Sequence, residues 1–315
     1  MNRPDVLAVA RLSPLLVPQL EAAFTLHDRL HQQDPAAFVA VAPRIQGIAA
    51  SGESKVGAEL IAQLPSLKII SVMGVGYDGI DVAAAKARGV MVTHTPNVLN
   101  DDVADLALGL MLAAARNLAA ADQYVRQGRW VDGPMPLARK LSGARLGIVG
   151  MGRIGQAIAR RAAGFDMPIA YTSRSPRPEL PYTYYPNATL LAEASEVLVV
   201  ITPGGAATRK LINADVLRAL GPTGLLVNVA RGSVVDEQAL IEALENGTIA
   251  GAGLDVFENE PHVPERLRAL PQVVLTPHIG SATHSTRQAM ADLAFGNLRA
   301  HFAGQPLPTP VPECQ

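Results

Sequence analysis

Three stretches near the ends of successive β-rich runs carry groups whose chemistry fits together. "VNVARGSVVDE" presents Arg231, "GAGLDVFENEP" presents Asp255, Glu258 and Glu260, and "VVLTPHIGSAT" presents His278. A guanidinium can hold a carboxylate and steady a developing oxyanion, and an imidazole can hand a proton to that oxygen. A neutral imidazole is a poor donor at pH 7, so a carboxylate that favours the charged ring and orients it is the expected third member. Glu260 is the choice for that place. Taken singly, each residue has an ordinary structural explanation: Arg-Gly is a common turn, Pro-His a common strand end, and a glutamate before proline a common exposed loop. His27, His31, His94, His262, His284 and His301 have no comparable company and are read as surface or structural. No H-x-x-x-H or C-x-x-C pair suggests a metal, and none is expected. Ser233 lacks a G-x-S-x-G frame, which argues against a serine hydrolase.

A fourth stretch, "LGIVGMGRIGQAIARRAAGF", spaces Gly150, Gly152 and Gly155 as G-x-G-x-x-G after a β-rich run and ahead of an Ala/Ile-rich helix. In that context Gly150 permits the tight turn, Gly152 lets backbone approach a pyrophosphate, and Gly155 lets helix and strand pack closely. The helix N-terminus adds N–H groups and partial positive charge for the phosphates. About 20 residues on, NAD-preferring proteins carry an acid for the adenosine ribose. Here the place holds Ser173 and then Arg174, in "AYTSRSPRPEL". A carboxylate about 4 Å from a 2′-phosphate would cost on the order of 4 kcal/mol at an effective dielectric near 20. A hydroxyl and a guanidinium reverse the preference, and Arg177 is placed to assist. The expected cofactor is therefore NADPH, with NADH possible. Joined to Arg231 and His278, such a cradle predicts hydride transfer to a small 2-oxo acid.

The elements that position these groups alternate. "VLAVARL", "IQGIAAS", "LKIISVM" and "VMVTHT" read as strands separated by helices through Leu15–Ala23, Val56–Leu64 and Val82–Arg88, the pattern of a parallel sheet covered by helices. Residues 101–127 form one long helical candidate. A second series runs through "ARLGIVGMG", "MPIAYTS", "EVLVVITP", "GLLVNVARG", "IAGAGLDVF" and "VVLTPHIG", six strands of a dinucleotide-binding sheet. One more helix and a Pro-rich tail follow.

At 315 residues the chain is long for one core and suited to two. A net charge of -1 gives no basic excess for nucleic acid or an anionic membrane. The run "LALGLMLAAA" is about half of what a membrane span needs and reads as a buried helix. No signal peptide is read at the start, and the single cysteine, Cys314, makes the cytoplasm the default compartment.

"GIVGMGRIGQAIARR", "VNVARGSVVDEQAL", "AGAGLDVFENEP" and "LTPHIGSAT" together resemble the D-isomer-specific 2-hydroxyacid dehydrogenase family. "SVMGVGYDGID" and "TPNVLNDDVADLALGLML" extend the likeness over nearly the whole chain. "FENEPHVPERLRAL" and "MADLAFGNLRAHF" look most like its glyoxylate/hydroxypyruvate reductase branch, which includes plant hydroxyphenylpyruvate reductases. The resemblance implies an α/β fold of two Rossmann/flavodoxin-like doubly wound parallel-sheet domains with a cleft between them. It implies a substrate domain of residues 1–98 plus 286–315 and an NAD(P)-binding domain of residues 99–285, closing over the substrate to exclude water. It implies Arg231, Glu260 and His278 as catalytic residues, and N–H groups of Val75 and Gly76 as holders of the substrate carboxylate. Asp255 would hold the nicotinamide carboxamide beside the carbonyl of Val229 or Ala230, Arg153 and Ile154 would contact the pyrophosphate, and Pro203 would line the adenosine side.

The family also implies a homodimer built on the long helix from Asp101. It contains nucleotide-sensing corepressors, but the complete set of catalytic groups favours an enzyme here. Aromatic 2-oxo acids remain the alternative substrates. Two departures stand out: Asp101 and Asp102 occupy a segment where many relatives have threonine, and Met135 and Leu137 occupy the loop 132–141 where some reductases place an aromatic.

Overall fold

The computed structural model describes residues 3–315, and its contacts divide the chain into two units. One joins the chain up to Leu99 to Thr283–Gln315, and the other is Asn100–Ala282. The last helix, His284–Phe302, begins where the Thr283 side chain accepts from Thr286 N–H.

In the first unit β1 (Asp5–Ala8), β2 (Thr25–Asp28), β3 (Ile45–Ser51), β4 (Ile69–Met73) and β5 (Met91–Thr93) form a parallel sheet ordered β2-β1-β3-β4-β5. β4, "IISVM", is buried throughout, as a central parallel strand covered on both faces must be. Its Ser71 hydroxyl donates to Ala294 O of the helix His284–Phe302, which lies across it. Leu7, Ile48, Ile61, Ile70 and Val72 are among the buried side chains of the core. β2 was not foreseen: "TLHD" is an edge strand with no buried residue, so its sequence carries no apolar pattern, and only pairing with β1 makes it a strand.

The second unit holds β6 (Leu146–Val149), β7 (Ile169–Thr172), β8 (Thr183–Tyr184), β9 (Val197–Val200), β10 (Leu225–Asn228), β11 (Gly251–Leu254) and β12 (Val273–Leu275). All pairs are parallel, in the order β12-β11-β10-β9-β6-β7-β8. β6, β9, β10 and β11 are buried at every residue. The strand order reverses between β6 and β9, the switch point where open α/β sheets bind ligands beyond their carboxyl ends. β8 adds a seventh strand to the six expected, a two-residue edge too short to leave a sequence signal.

The long helix expected over 101–127 is two helices, Asn100–Arg116 and Leu118–Arg126, bent by 61°. Asn117 between them takes a left-handed conformation, φ 52°, which ends the ladder and which asparagine tolerates better than most residues. Asn100–Arg116 buries Ala107, Leu108, Leu110 and Met111, whereas Leu118–Arg126 buries nothing. A Cβ on Gly253 of β11 would stand 2.9 Å from Leu110 Cβ, so strand and helix pack against bare backbone. Asp101 and Asp105 both pair with Arg161, at 3.0 and 2.5 Å, tying this helix to Arg153–Ala162. Among the described residues no single helix is long and apolar enough to cross a membrane.

Candidate active site

Every site residue expected in the second unit lies just beyond the carboxyl end of a parallel strand or on the helix or loop that follows: the glycine turn after β6, Ser173 after β7, Pro203 after β9, Val229 to Arg231 after β10, Asp255 after β11 and His278 after β12. Successive strands thus deliver groups far apart in sequence to one edge.

At the glycine turn the three glycines do different work. Gly150 has φ 109°, and a Cβ on it would stand 2.7 Å from Ile201 O; a Cβ on Gly155 would stand 2.1 Å from Gly150 O. Both close the turn onto protein. A Cβ on Gly152 would meet nothing within 4 Å, so Gly152 faces open space. It is the N-cap of Arg153–Ala162 and supplies no side chain to that helix end. Bare backbone, an uncapped helix N-terminus carrying Arg153 and Ile154, and space in front suit a pyrophosphate. The residues present therefore fit a dinucleotide.

At the end of β7, Arg174 is exposed and the Ser173 hydroxyl donates to Ser175 O at 2.7 Å. Arg177 lies across the turn: its Nη1 donates to Met151 O at 2.9 Å while Nε pairs with Glu179 at 2.8 Å. Its own backbone N–H first, and that pairing second, hold the exposed Glu179 carboxyl below the ordinary range. The loop is thus fastened to the glycine turn through Arg177, leaving Arg174 as its exposed cation. Pro203 is exposed, and its carbonyl accepts from Thr208 Oγ1.

His278 and Glu260 meet: Nδ1 lies 2.7 Å from Glu260 Oε2. A carboxylate oxygen only accepts, so Nδ1 carries the proton and the ring presents Nε2 for chemistry. The other Glu260 oxygen accepts from Phe257 N–H at 2.9 Å, which fixes the carboxylate plane. The Glu260 loop is in turn held where Glu258 N–H donates to Glu237 Oε2 at 3.2 Å. Burial holds the Glu237 carboxyl above the usual carboxylate range, offset in part by that N–H.

Asp255, 2% exposed, does more than the sequence suggested. Its Oδ1 accepts from Thr276 Oγ1 at 2.7 Å and Ile279 N–H at 2.8 Å, and its Oδ2 from Gly280 N–H at 2.8 Å. These bonds wrap the turn around His278, whose backbone sits at φ 53°. A left-handed histidine costs on the order of 1 kcal/mol, and the three bonds offset it. Of the roughly four acceptor positions of a carboxylate, one remains for a ligand amide.

Two residues at the Arg231 turn escaped the sequence reading. Buried Asn228 accepts from Ala230 N–H and donates to Arg231 O, both at 3.0 Å, closing the turn that presents Arg231. A Cβ on Gly232 would stand 1.9 Å from Phe257 C and O, so only glycine lets this turn lie against the Glu260 loop. The "ARG" and "ENEP" motifs were visible, but not that one is seated on the other. Arg231 Nη1 donates to Ala230 O at 2.7 Å, and Val229, whose N–H donates to Val200 O, is buried beside it.

In the first unit, Val75 and Gly76 follow β4 in a loop where backbones touch: a Cβ on Gly74 would stand 2.8 Å from Gly52 Cα. Val75 O lies 3.0 Å from His94 Nδ1.

A glycine turn at the switch point and an imidazole–carboxylate pair on the same strand edge define a dinucleotide-dependent oxidoreductase. Comparison with known proteins makes this specific. Residues 108–280 match the family model for the D-isomer specific 2-hydroxyacid dehydrogenase NAD binding domain. The chain is 48% identical to hydroxyphenylpyruvate reductase of Plectranthus scutellarioides, over 99% of this chain and 100% of that one. It is 44% identical to 2-ketogluconate reductase of Gluconobacter oxydans, over 98% and 99%. The crystal structure of the NADPH-dependent glyoxylate/hydroxypyruvate reductase of Sinorhizobium meliloti in complex with NADP and malonate superposes with a TM-score of 0.94 at 50% identity, covering 99% of this chain and 98% of that one. The chain belongs to the D-isomer-specific 2-hydroxyacid dehydrogenase family.

Proposed function

We propose that this protein is an NADPH-preferring reductase that takes glyoxylate and hydroxypyruvate to D-2-hydroxy acids, with NADH as a weaker cofactor. The observation that carries the reading is the 2.7 Å contact between His278 Nδ1 and Glu260, on the same strand edge as a glycine turn open at Gly152. The nicotinamide, when bound, supplies the hydride that reaches the 2-oxo carbon. Arg231 holds the substrate carboxylate and steadies the oxygen that gains charge, together with the N–H groups of Val75 and Gly76. His278 delivers the proton from Nε2 to that oxygen, completing the hydroxyl, and takes it back in oxidation. Glu260 keeps Nδ1 protonated, so Nε2 is the nitrogen that exchanges. Asp255 keeps an acceptor for the carboxamide beside the carbonyls of Val229 and Ala230. Arg153, Ile154 and Pro203 line the rest of the cofactor, and Ser173 and Arg174 meet a 2′-phosphate.

A homodimer is the proposed assembly. Exposed apolar side chains gather in one stretch of sequence, with Leu118 50%, Val125 58%, Trp130 69%, Val131 91% and Leu137 100% exposed, more than scattered surface residues account for. The lone Cys314 suits a reducing compartment, and the cytoplasm is the proposed location.

The test is a kcat/KM panel over glyoxylate, hydroxypyruvate and phenylpyruvate with NADPH and NADH. Glyoxylate and hydroxypyruvate with NADPH should lead. His278→Ala should lower turnover about 100-fold or more while NADPH still binds. No NADPH consumption on any of the three acids, or full turnover in the alanine variant, would reject the reading.

A further inference from the structure

We infer that His94, clamped by the C-terminal segment, is a positioning residue that aims the Gly76 N–H at the substrate carboxylate. The inference rests on the reductase reading above for what the N–H binds. By sequence His94 looked like one more structural histidine. In the structure its ring reaches the carbonyl of Val75, in the peptide unit that carries the Gly76 N–H.

β4 ends at Met73, so the peptide joining Val75 to Gly76 lies beyond the sheet ladder. A carbonyl oxygen only accepts, so the 3.0 Å contact places a proton on His94 Nδ1 and makes it the donor to Val75 O. The Val75 carbonyl and the Gly76 N–H belong to the same planar trans unit and point in opposite directions. Anchoring the oxygen on His94 therefore sets the direction of the N–H, away from the ring and toward whatever it binds. Without that anchor the unit is free to rotate, and the N–H loses its aim.

His94 is itself held from two sides. Its N–H donates to Thr309 O at 3.2 Å, and Thr309 Oγ1 donates to His94 O at 2.6 Å. Thr309 is anchored by the fully buried Asn297, which donates to Thr309 Oγ1 at 2.8 Å and accepts from Thr309 N–H at 3.0 Å. On the other side the Tyr77 ring stands edge-on to the imidazole, centroids 5.3 Å apart at 89°. The Tyr77 hydroxyl donates to Glu313 Oε2 at 3.0 Å. Burial and the Glu313 carboxylate push that phenol up to about 12, so it remains a donor at any working pH. Val311, fully buried, bonds to Val92 O between these two anchors. The tail "TPVPEC" is thus a brace: one end fixes the backbone of His94, the other fixes the ring that packs against it.

His94→Leu removes the donor at similar volume. His94→Asn keeps an N–H donor at nearly the same place, since an asparagine amide nitrogen stands as far along the side chain as Nδ1. The readouts are kcat and KM for glyoxylate with NADPH, the Kd of NADPH, and the Kd of oxalate, a non-reducible carboxylate analogue, on the NADPH complex. His94→Leu should raise KM and the oxalate Kd about fivefold to tenfold, the usual effect of losing one hydrogen bond. Turnover should stay within about threefold and NADPH affinity within about twofold, because the lost contact serves ground state and transition state alike. His94→Asn should restore oxalate binding to within about twofold. A folded His94→Leu with unchanged oxalate affinity, or a His94→Asn no better than His94→Leu, would overturn the inference. If His94→Leu does not fold, Tyr77→Phe decides: it keeps the ring and cuts the link to Glu313, and it should weaken oxalate about twofold, with no change overturning the brace. Wild-type protein that binds oxalate but reduces no 2-oxo acid would sink the reductase reading and leave the oxalate comparison standing.

Discussion

Replacing Asp255 by asparagine separates two roles that one carboxylate could fill. The Oδ1 of Asp255 accepts from Thr276 Oγ1 and Ile279 N–H, and asparagine can keep both with its own oxygen. The Oδ2 accepts from Gly280 N–H at 2.8 Å, and in asparagine that position becomes an NH2 facing an N–H. At a residue 2% exposed the mismatch is shielded from bulk water. Losing one charge-assisted bond and stranding a buried donor costs roughly 2 to 4 kcal/mol. For a unit of this size that corresponds to a fall in Tm on the order of 5 to 10 °C. The turn being loosened carries His278 at φ 53°, so the proposed proton donor is displaced as well. Misplacement of this kind lowers kcat by about 10-fold to 100-fold. The assay is NADPH oxidation on glyoxylate, with thermal unfolding and NADPH titration on the same samples. If Asp255 were chiefly a carboxamide contact, Kd for NADPH would rise while Tm held. An asparagine variant with wild-type Tm and wild-type kcat would refute the argument from the three hydrogen bonds.

Other perturbations check other parts of the site. Gly152→Ala should leave Tm unchanged and weaken NADPH, since its Cβ enters open space, whereas Gly155→Ala should unfold more easily, since its Cβ would stand 2.1 Å from Gly150 O; equal effects on Tm would contradict the division of labour. Arg174→Ala should weaken NADPH by at least about 10-fold and NADH little, the size of a lost charge-assisted contact, and an unchanged ratio in direct titrations would remove Arg174 from cofactor choice. Glu237→Gln keeps the acceptor for Glu258 N–H and removes a carboxylate that burial disfavours. Its folded-state pKa is raised above the unfolded 4.5, so its contribution is fully present below that pH and is lost as pH rises through the folded value. The Tm advantage of Glu237→Gln over wild type should therefore be largest near neutral pH and vanish toward pH 4.5 in a pH series of melts; a constant difference would remove burial of Glu237 as the cause.

The sequence by itself determined the layered architecture and the chemistry. Parallel strands buried on both faces read as apolar runs, as "VLVV" of β9 shows, and glycine spacing after β6 placed the turn. Arg231, Glu260 and His278 were legible as candidates because their motifs are long and each follows a strand. What did not leave a mark was anything decided by a neighbour far along the chain. β2 is polar and exposed and exists through its pairing with β1. The break at Asn117 is one residue's φ, inside a pattern that reads as continuous helix. Asp255 was legible as an acid but not as the clasp of residues 276–280, because hydrogen bonds to backbone N–H groups carry no residue signature. Gly232 reads in sequence as half of an Arg-Gly turn, and only the fold seats it against Phe257. His94 lacked company in sequence because its partners, Val75 and Thr309, are joined to it only through space. Residue types fix which bonds can form, and tertiary packing selects the ones that do.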